Sequence, residues 1–108
     1  MKHPSLGEFE ELVLLTVAAL HDTAYGVSIL ENLEAELGKQ VSISAIHVSL
    51  KRMEEKGFLN SRFGGITDER GGRRKKYYVI TALGKRMLDE QYALRTNLYK
   101  RIPSISFK

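Results

Sequence analysis

Residues 42–81, SISAIHVSLKRMEEKGFLNSRFGGITDERGGRRKKYYVIT, constrain the fold more than any other stretch of this chain. They read in order as a helix, a glycine stop, a strand, a glycine-rich basic loop and a second strand. Ser42 or Ser44 can cap the helix, because a serine hydroxyl accepts from a free backbone N–H of the first turn. The apolar positions Ile43, Ile46, Leu50 and Met53 fall within an arc of about 80° at about 100° per residue, so they face a core. Gly57 suits the left-handed residue that ends a helix, and Phe58 can fold back onto Met53 to complete a Schellman stop. Leu59, Ser61 and Phe63 then alternate with Asn60 and Arg62, and Tyr77 and Val79 with Tyr78 and Ile80, the two-residue period of half-buried strands. The basic loop between them spans Gly64 to Lys76. A chain organised this way is mostly α with a small β-hairpin, an α+β domain.

Helices are expected on both sides of this stretch. Ser5-Leu6-Gly7-Glu8 has the form of a capping box, in which Ser5 would accept from the third N–H and Glu8 would reach back. From there to Leu20 the apolar residues, among them Phe9, Leu12, Val13, Leu14 and Leu15, surround the axis, so this helix must be covered on more than one side. His21-Asp22-Thr23 interrupts the run. Tyr25-Gly26 leads into a second helix with Val27, Leu30, Leu33 and Leu37 as its buried stripe and Gly38 as its stop. Thr81 can cap a last helix running to about Ile102, with Pro103 as a late stop.

That last helix carries two apolar lines: Leu83, Met87, Leu94 and Leu98, and beside them Leu88, Tyr92, Tyr99 and Ile102. At about 1.5 Å per residue it is on the order of 30 Å long. A 108-residue domain buries only roughly 60–70% of its unfolded surface, too thin a core to cover such a helix. The expectation is a two-fold homodimer whose interface takes these eight residues together with Phe9, Leu12 and Val13 of the first helix. The alternative is that the helix folds back over its own core. The division expected is 1–81 for a winged-helix unit and 82–108 for a dimerisation helix and tail.

Charge separates along the chain in the same way as these elements. Residues 1–50 carry two Lys/Arg against seven Asp/Glu, residues 51–76 nine against four, and residues 77–108 six against two. A basic second half of this kind suits phosphate, although a solvated charged face is the plain alternative. The arc of the third helix opposite its core side holds Ser44, Ala45, Val48, Lys51, Arg52 and Glu55, with Ser42 at its start and His47 on the boundary. Small residues followed by cations a turn later let a helix enter a major groove and set charge on the groove's rim. The loop adds Arg70, Gly71, Gly72, Arg73, Arg74, Lys75 and Lys76: glycines for close backbone approach, cations for phosphates or a minor groove. Helix plus basic wing points to double-stranded DNA. The other reading is a module that sets its basic wing against an acidic protein. Against it stands the absence of an exposed aromatic or Met anchor on the third helix.

Other function classes have little support. There is no Cys, no pair of His at metal-ligand spacing and no phosphate loop of the G-x-x-x-x-G-K-[ST] form, so no enzyme, no metal site and no cofactor is expected. The longest apolar run, Leu12 to Leu20, falls short of the roughly 20 residues that a membrane span needs, and the expected location is cytoplasmic.

In its order of motifs the chain resembles the PadR family of winged-helix transcriptional regulators, in particular its short members. The resemblance rests on Leu14-Leu15, Tyr25-Gly26, Ser44 through Leu50, Arg52 to Leu59 (RMEEKGFL), Glu69 to Tyr78, and Ile80-Thr81-Ala82-Leu83-Gly84. It implies a homodimer that binds an inverted-repeat operator, usually near its own promoter, and represses transcription. It also implies relief of repression by a small molecule, often aromatic, at the dimer interface. Phe9, Leu12, Val13, Tyr92 and Tyr99 could line such a cavity or simply pack. One departure stands out. The family commonly has an aromatic followed by Pro in the third helix, where this chain has Ile46-His47-Val48, so base contacts do not transfer directly. His47 either donates to a phosphate or base edge or packs at the helix boundary.

Overall fold

The computed structural model describes residues 6–66 and 74–105. Helix α1 spans Glu8–Leu20, α2 Gly26–Leu37, α3 Ile43–Glu55 and α4 Ala82–Lys100; strands β1 Leu59–Ile66 and β2 Arg74–Ile80 form an antiparallel hairpin between α3 and α4. This is the expected α+β winged arrangement with a long C-terminal helix.

Helix α1 is capped at Gly7, and it is Glu10, not Glu8, that reaches back to accept from the cap N–H, at 3.2 Å. Ser5 lies outside the described residues. His21 to Thr23 form one 3₁₀ turn, and Ser28 caps α2 from within by accepting from the Tyr25 N–H. The buried face of α2 is Ile29 and Leu33 with Leu30 beside them, while Val27 and Leu37 are exposed. The expected stripe was therefore rotated. At about 100° per residue Val27 lies about 120° from Leu33, whereas Ile29 lies about 40° from it.

Helix α3 follows its sequence signals closely. Ser42 is the cap, accepting from Ala45 N–H at 3.2 Å. Ile46, Leu50 and Met53 are fully buried, but Ile43 in the first turn is exposed. At the other end Gly57 has φ +86°, the Phe58 N–H donates to the Met53 carbonyl and the Gly57 N–H to that of Glu54, the two bonds of a Schellman stop. Phe58 thereby enters the core with no exposed surface.

The hairpin pairs Leu59 with Ile80, Ser61 with Tyr78, Arg62 with Tyr77 and Phe63 with Lys76. Gly64 and Gly65 bulge, and pairing resumes at Ile66 and Arg74, so the strands run further into the expected loop than alternation alone suggested. A one-residue bridge from Tyr25 to Tyr77, with the Tyr78 N–H donating to the Ala24 carbonyl at 2.8 Å, joins the hairpin to the start of α2.

Two neighbouring carboxylates tie α1 to other helices. Glu11 accepts from Arg95 of α4 at 3.0 Å, and Glu10, largely buried, accepts from Lys56 at the end of α3 at 2.9 Å. Burial pushes the Glu10 carboxyl up, but the hydrogen bonds from Lys56 and Gly7 and the charges of Lys56 and Arg52 outweigh it and hold its pKa below the ordinary carboxylate value. A depressed carboxylate contributes stability above its unfolded pKa, about 4.3, and loses it as pH falls through the lower folded value. Glu10→Gln is expected to cost about 1–2 kcal/mol at neutral pH, since Lys56 is partly solvated. In thermal melts the gap to wild type should close as pH falls below about 4.

Candidate nucleic-acid interface

The sequence-predicted reading face is presented to solvent. Ser44, His47, Val48, Lys51 and Arg52 are exposed along α3 and Ala45 is half-buried among them. Ser42 is occupied as the cap, which uses its oxygen as acceptor and leaves the hydroxyl proton free to donate. The imidazole of His47 lies against the start of α2: a Cβ on Gly26 would sit 3.1 Å from His47 Cε1. Glycine at that position lets α2 approach α3 this closely. An open groove of about 940 Å³ runs between the start of α1 and this face, bordered by Phe9, Ser44, Ala45, Val48 and Arg52.

The two described cations of the block, Lys75 and Lys76, do not form one patch. Successive strand residues point to opposite faces, so Lys75 and Lys76 diverge. Lys75 places its Nζ 4.3 Å from the centre of the Tyr25 ring, on the outer face. Lys76 turns to the other side, 4.0 Å from a Glu54 carboxylate oxygen, where part of its charge is met. Arg74 belongs to β2, and its side chain is not described. Arg70, Gly71, Gly72 and Arg73 lie outside the described residues.

Sequence reasoning missed Arg62, Tyr25 and Tyr77. Arg62 stands opposite Tyr77 in the ladder, its guanidinium carbon 5.3 Å from the ring centre, and Tyr77 meets Tyr25 edge to face at 5.6 Å and 72°. The signal was the antiparallel register, which could be read only once the bulge at Gly64-Gly65 was known.

The expected dimer residues divide into two groups. Val13 is fully buried within the protomer and Leu88 nearly so, which leaves little of either for a second chain. Phe9, Leu12, Leu83 and Met87 are half-buried against the same core. The α2, α3, β2 and α4 elements pack against α1 and cover most of its apolar residues, while Leu15 and Ala19 stay exposed. Beyond Leu88, α4 runs on for 12 residues (100 − 88), about 18 Å, and there Tyr92, Leu94, Leu98, Tyr99 and the following Ile102 are 50–74% exposed. No helix among the described residues is long and apolar enough to cross a membrane.

Comparison with known proteins places these features. The model of the transcriptional regulator PadR-like family matches residues 14–90. No curated protein sequence matches the chain. Among solved structures, smu.1704 from Streptococcus mutans UA159 is similar at 28% identity and TM-score 0.64, over 92% of this chain and 87% of that one. A PadR family transcription regulator from Clostridium difficile R20291 shares the fold at 24% identity and TM-score 0.67, over 85% and 92%. Bacillus subtilis PadR, solved in complex with operator DNA, shares it at 22% identity and TM-score 0.66, over 93% of this chain and 51% of that one. With a family match over more than two-thirds of its length, on the fold that these structures share, the chain belongs to the PadR-like family of transcriptional regulators.

Proposed function

We propose that the chain is a homodimeric, sequence-specific DNA-binding regulator that represses transcription and is released by a small-molecule effector. The observation that carries this reading is the position of α3. Its exposed arc of Ser44, Ala45, Val48, Lys51 and Arg52 lies beside a hairpin whose outer face presents Lys75, in a family with a member solved on operator DNA. Each α3 would enter a major groove, with Ser44, Ala45, Val48 and His47 near base edges and Lys51 and Arg52 on phosphates. The wing, including Arg70, Arg73 and Arg74, would neutralise the adjacent backbone.

Assembly falls to the far half of α4. An exposed row of Leu and Tyr on a projecting helix is the kind of surface that a second copy covers, and Tyr92, Leu94, Leu98, Tyr99 and Ile102 would do so. Residues 1–81 then form the reading unit and 82–108 the assembling one, with the first turns of α4 packed into the reading unit's core. A flat aromatic effector would seat between the first and last helices, against Phe9, Leu12, Tyr92 and Tyr99.

A gel shift with a duplex from upstream of the chain's own coding region, competed by random DNA, tests this reading. The expected result is a selective shift that weakens steeply with salt. No selective shift at any salt would favour the second reading, a winged module that binds an acidic protein.

A further inference from the structure

The outer root of the hairpin holds two cations that the wing tip does not account for. Arg62 of β1 and Lys75 of β2 flank Tyr77 and Tyr25, with Arg62 Cζ 5.3 Å from the Tyr77 ring centre and Lys75 Nζ 4.3 Å from that of Tyr25. The two rings lock to each other edge to face at 5.6 Å. Backbone fixes them as well, through the Tyr25 to Tyr77 bridge and the Tyr78 N–H to Ala24 carbonyl bond. Among the described residues neither cation has a carboxylate within salt-bridge distance. Other cations of the chain are met: Lys76 faces Glu54, Lys85 pairs with Asp89 and Arg95 with Glu11.

The pair also connects two parts of the reading surface. Tyr25 is followed by Gly26, against which the His47 imidazole of α3 rests. A chain of contacts therefore runs from His47 of α3 through Gly26, Tyr25 and Tyr77 to Arg62. We propose that Tyr25 and Tyr77 are positioning residues that hold Lys75 and Arg62 as phosphate contacts, so that the hairpin root as well as its tip grips the DNA backbone. This rests on the DNA-binding reading above.

Physical chemistry favours phosphate as the ligand. An aromatic face attracts a cation but satisfies none of its N–H donors, which stay directed outward. A guanidinium presents a planar fork matched to phosphate oxygens, and stacking limits its rotamers before binding, so less entropy is lost when the contact forms. A long, unstacked surface Arg would bind the same phosphate with a larger ordering cost.

The test measures affinity for a random-sequence duplex as a function of salt, which counts phosphate contacts without requiring an operator. Arg62→Ala is expected to weaken binding about 5- to 10-fold and to reduce the slope of log affinity against log salt by about 1. Tyr77→Leu should lose at least as much, Tyr77→Phe should bind as wild type does, and Arg62→Ala combined with Tyr77→Leu should bind no worse than Tyr77→Leu alone. If Tyr77→Leu does not fold, Tyr25→Leu replaces it with the loss read through Lys75→Ala; Arg62→Ala, on an exposed side chain, stays folded in either case. Arg62→Ala with unchanged affinity and slope, additive losses in the pair, or Tyr77→Phe as damaging as Tyr77→Leu would each overturn the proposal while wild type still binds DNA. Failure of wild type to bind any duplex would overturn the functional reading and this proposal together.

Discussion

Leu98→Glu is expected to convert the protein from dimer to monomer and to lower affinity for an inverted-repeat duplex by at least about 100-fold. Leu98 lies on the stretch of α4 beyond its last buried residue and is half exposed in the protomer. With Leu83 as origin and about 100° per residue, Leu94, Leu98, Ile102, Tyr99 and Tyr92 fall between about 20° and 180°, while Lys85, Asp89, Ala93, Thr96 and Asn97 take the opposite arc. One side of the free helix is thus mainly apolar, interrupted by Gln91 at about 80° and Arg95 at about 120°, and the other is polar. In a two-fold interface a substitution appears twice, so two carboxylates would be buried without partners, each costing several kcal/mol. Loss of the dimer removes the avidity of two linked half-site contacts, commonly 10²- to 10⁴-fold. Sedimentation or light scattering reads the mass, and Asn97→Glu on the polar arc serves as the control that should remain dimeric. A dimeric Leu98→Glu protein would place the interface elsewhere.

Gly84→Ala is expected to be the most damaging Gly-to-Ala change among the described glycines. A Cβ at residue 84 would lie 2.3 Å from the Phe58 carbonyl oxygen and 2.8 Å from Ile80 Cγ1. The carbonyl cannot retreat, because it accepts from Thr81 N–H at 3.0 Å, and Thr81 Oγ1 in turn donates to the Gly57 carbonyl at 2.6 Å. Those bonds join the end of α3, the start of β1 and the cap of α4 in one knot, and the first turn of α4 docks on it through the bare Gly84 backbone. Forcing α4 away by the missing clearance disturbs Leu83, Met87 and Leu88 as well. Overpacking of this severity costs about 3 kcal/mol, a large share of the roughly 5–15 kcal/mol that holds a domain folded. For a domain of this size the melting temperature should fall by about 10 °C or more. A melting temperature within about 2 °C of wild type would mean that α4 does not dock as described.

Local chemistry was legible and long-range placement was not. The α3 cap, the Gly57-Phe58 stop and the Thr81 cap each depend on a handful of consecutive residues: the stop and the Thr81 cap form as the sequence indicates, and of the two candidate serines Ser42 takes the α3 cap. Ile43 was misassigned because helical periodicity gives direction but not depth: it points along the core arc of α3 yet sits in a first turn with nothing over it. Val27 and Ile29 compete for the same stripe in α2, and only the position of α3 and α1 decides for Ile29. Val13 shows the deeper limit. A sequence can show that all sides of α1 need cover, but side chains from the same chain and from a partner bury it by the same chemistry. The proposed phosphate contact Arg62 and its ring Tyr77 depend on the strand register, and Tyr25 on its bridge to Tyr77.

Selection of bound DNA from a random duplex pool tests the central reading most directly, because it reads specificity and dimer geometry together. The expected result is an inverted repeat whose half-site centres lie about one helical turn, roughly 10 bp, or a small multiple of it apart, since a two-fold dimer presents two copies of α3 to one face of the duplex. A pool that shows no enrichment, or that enriches a single unrepeated half-site, would contradict it.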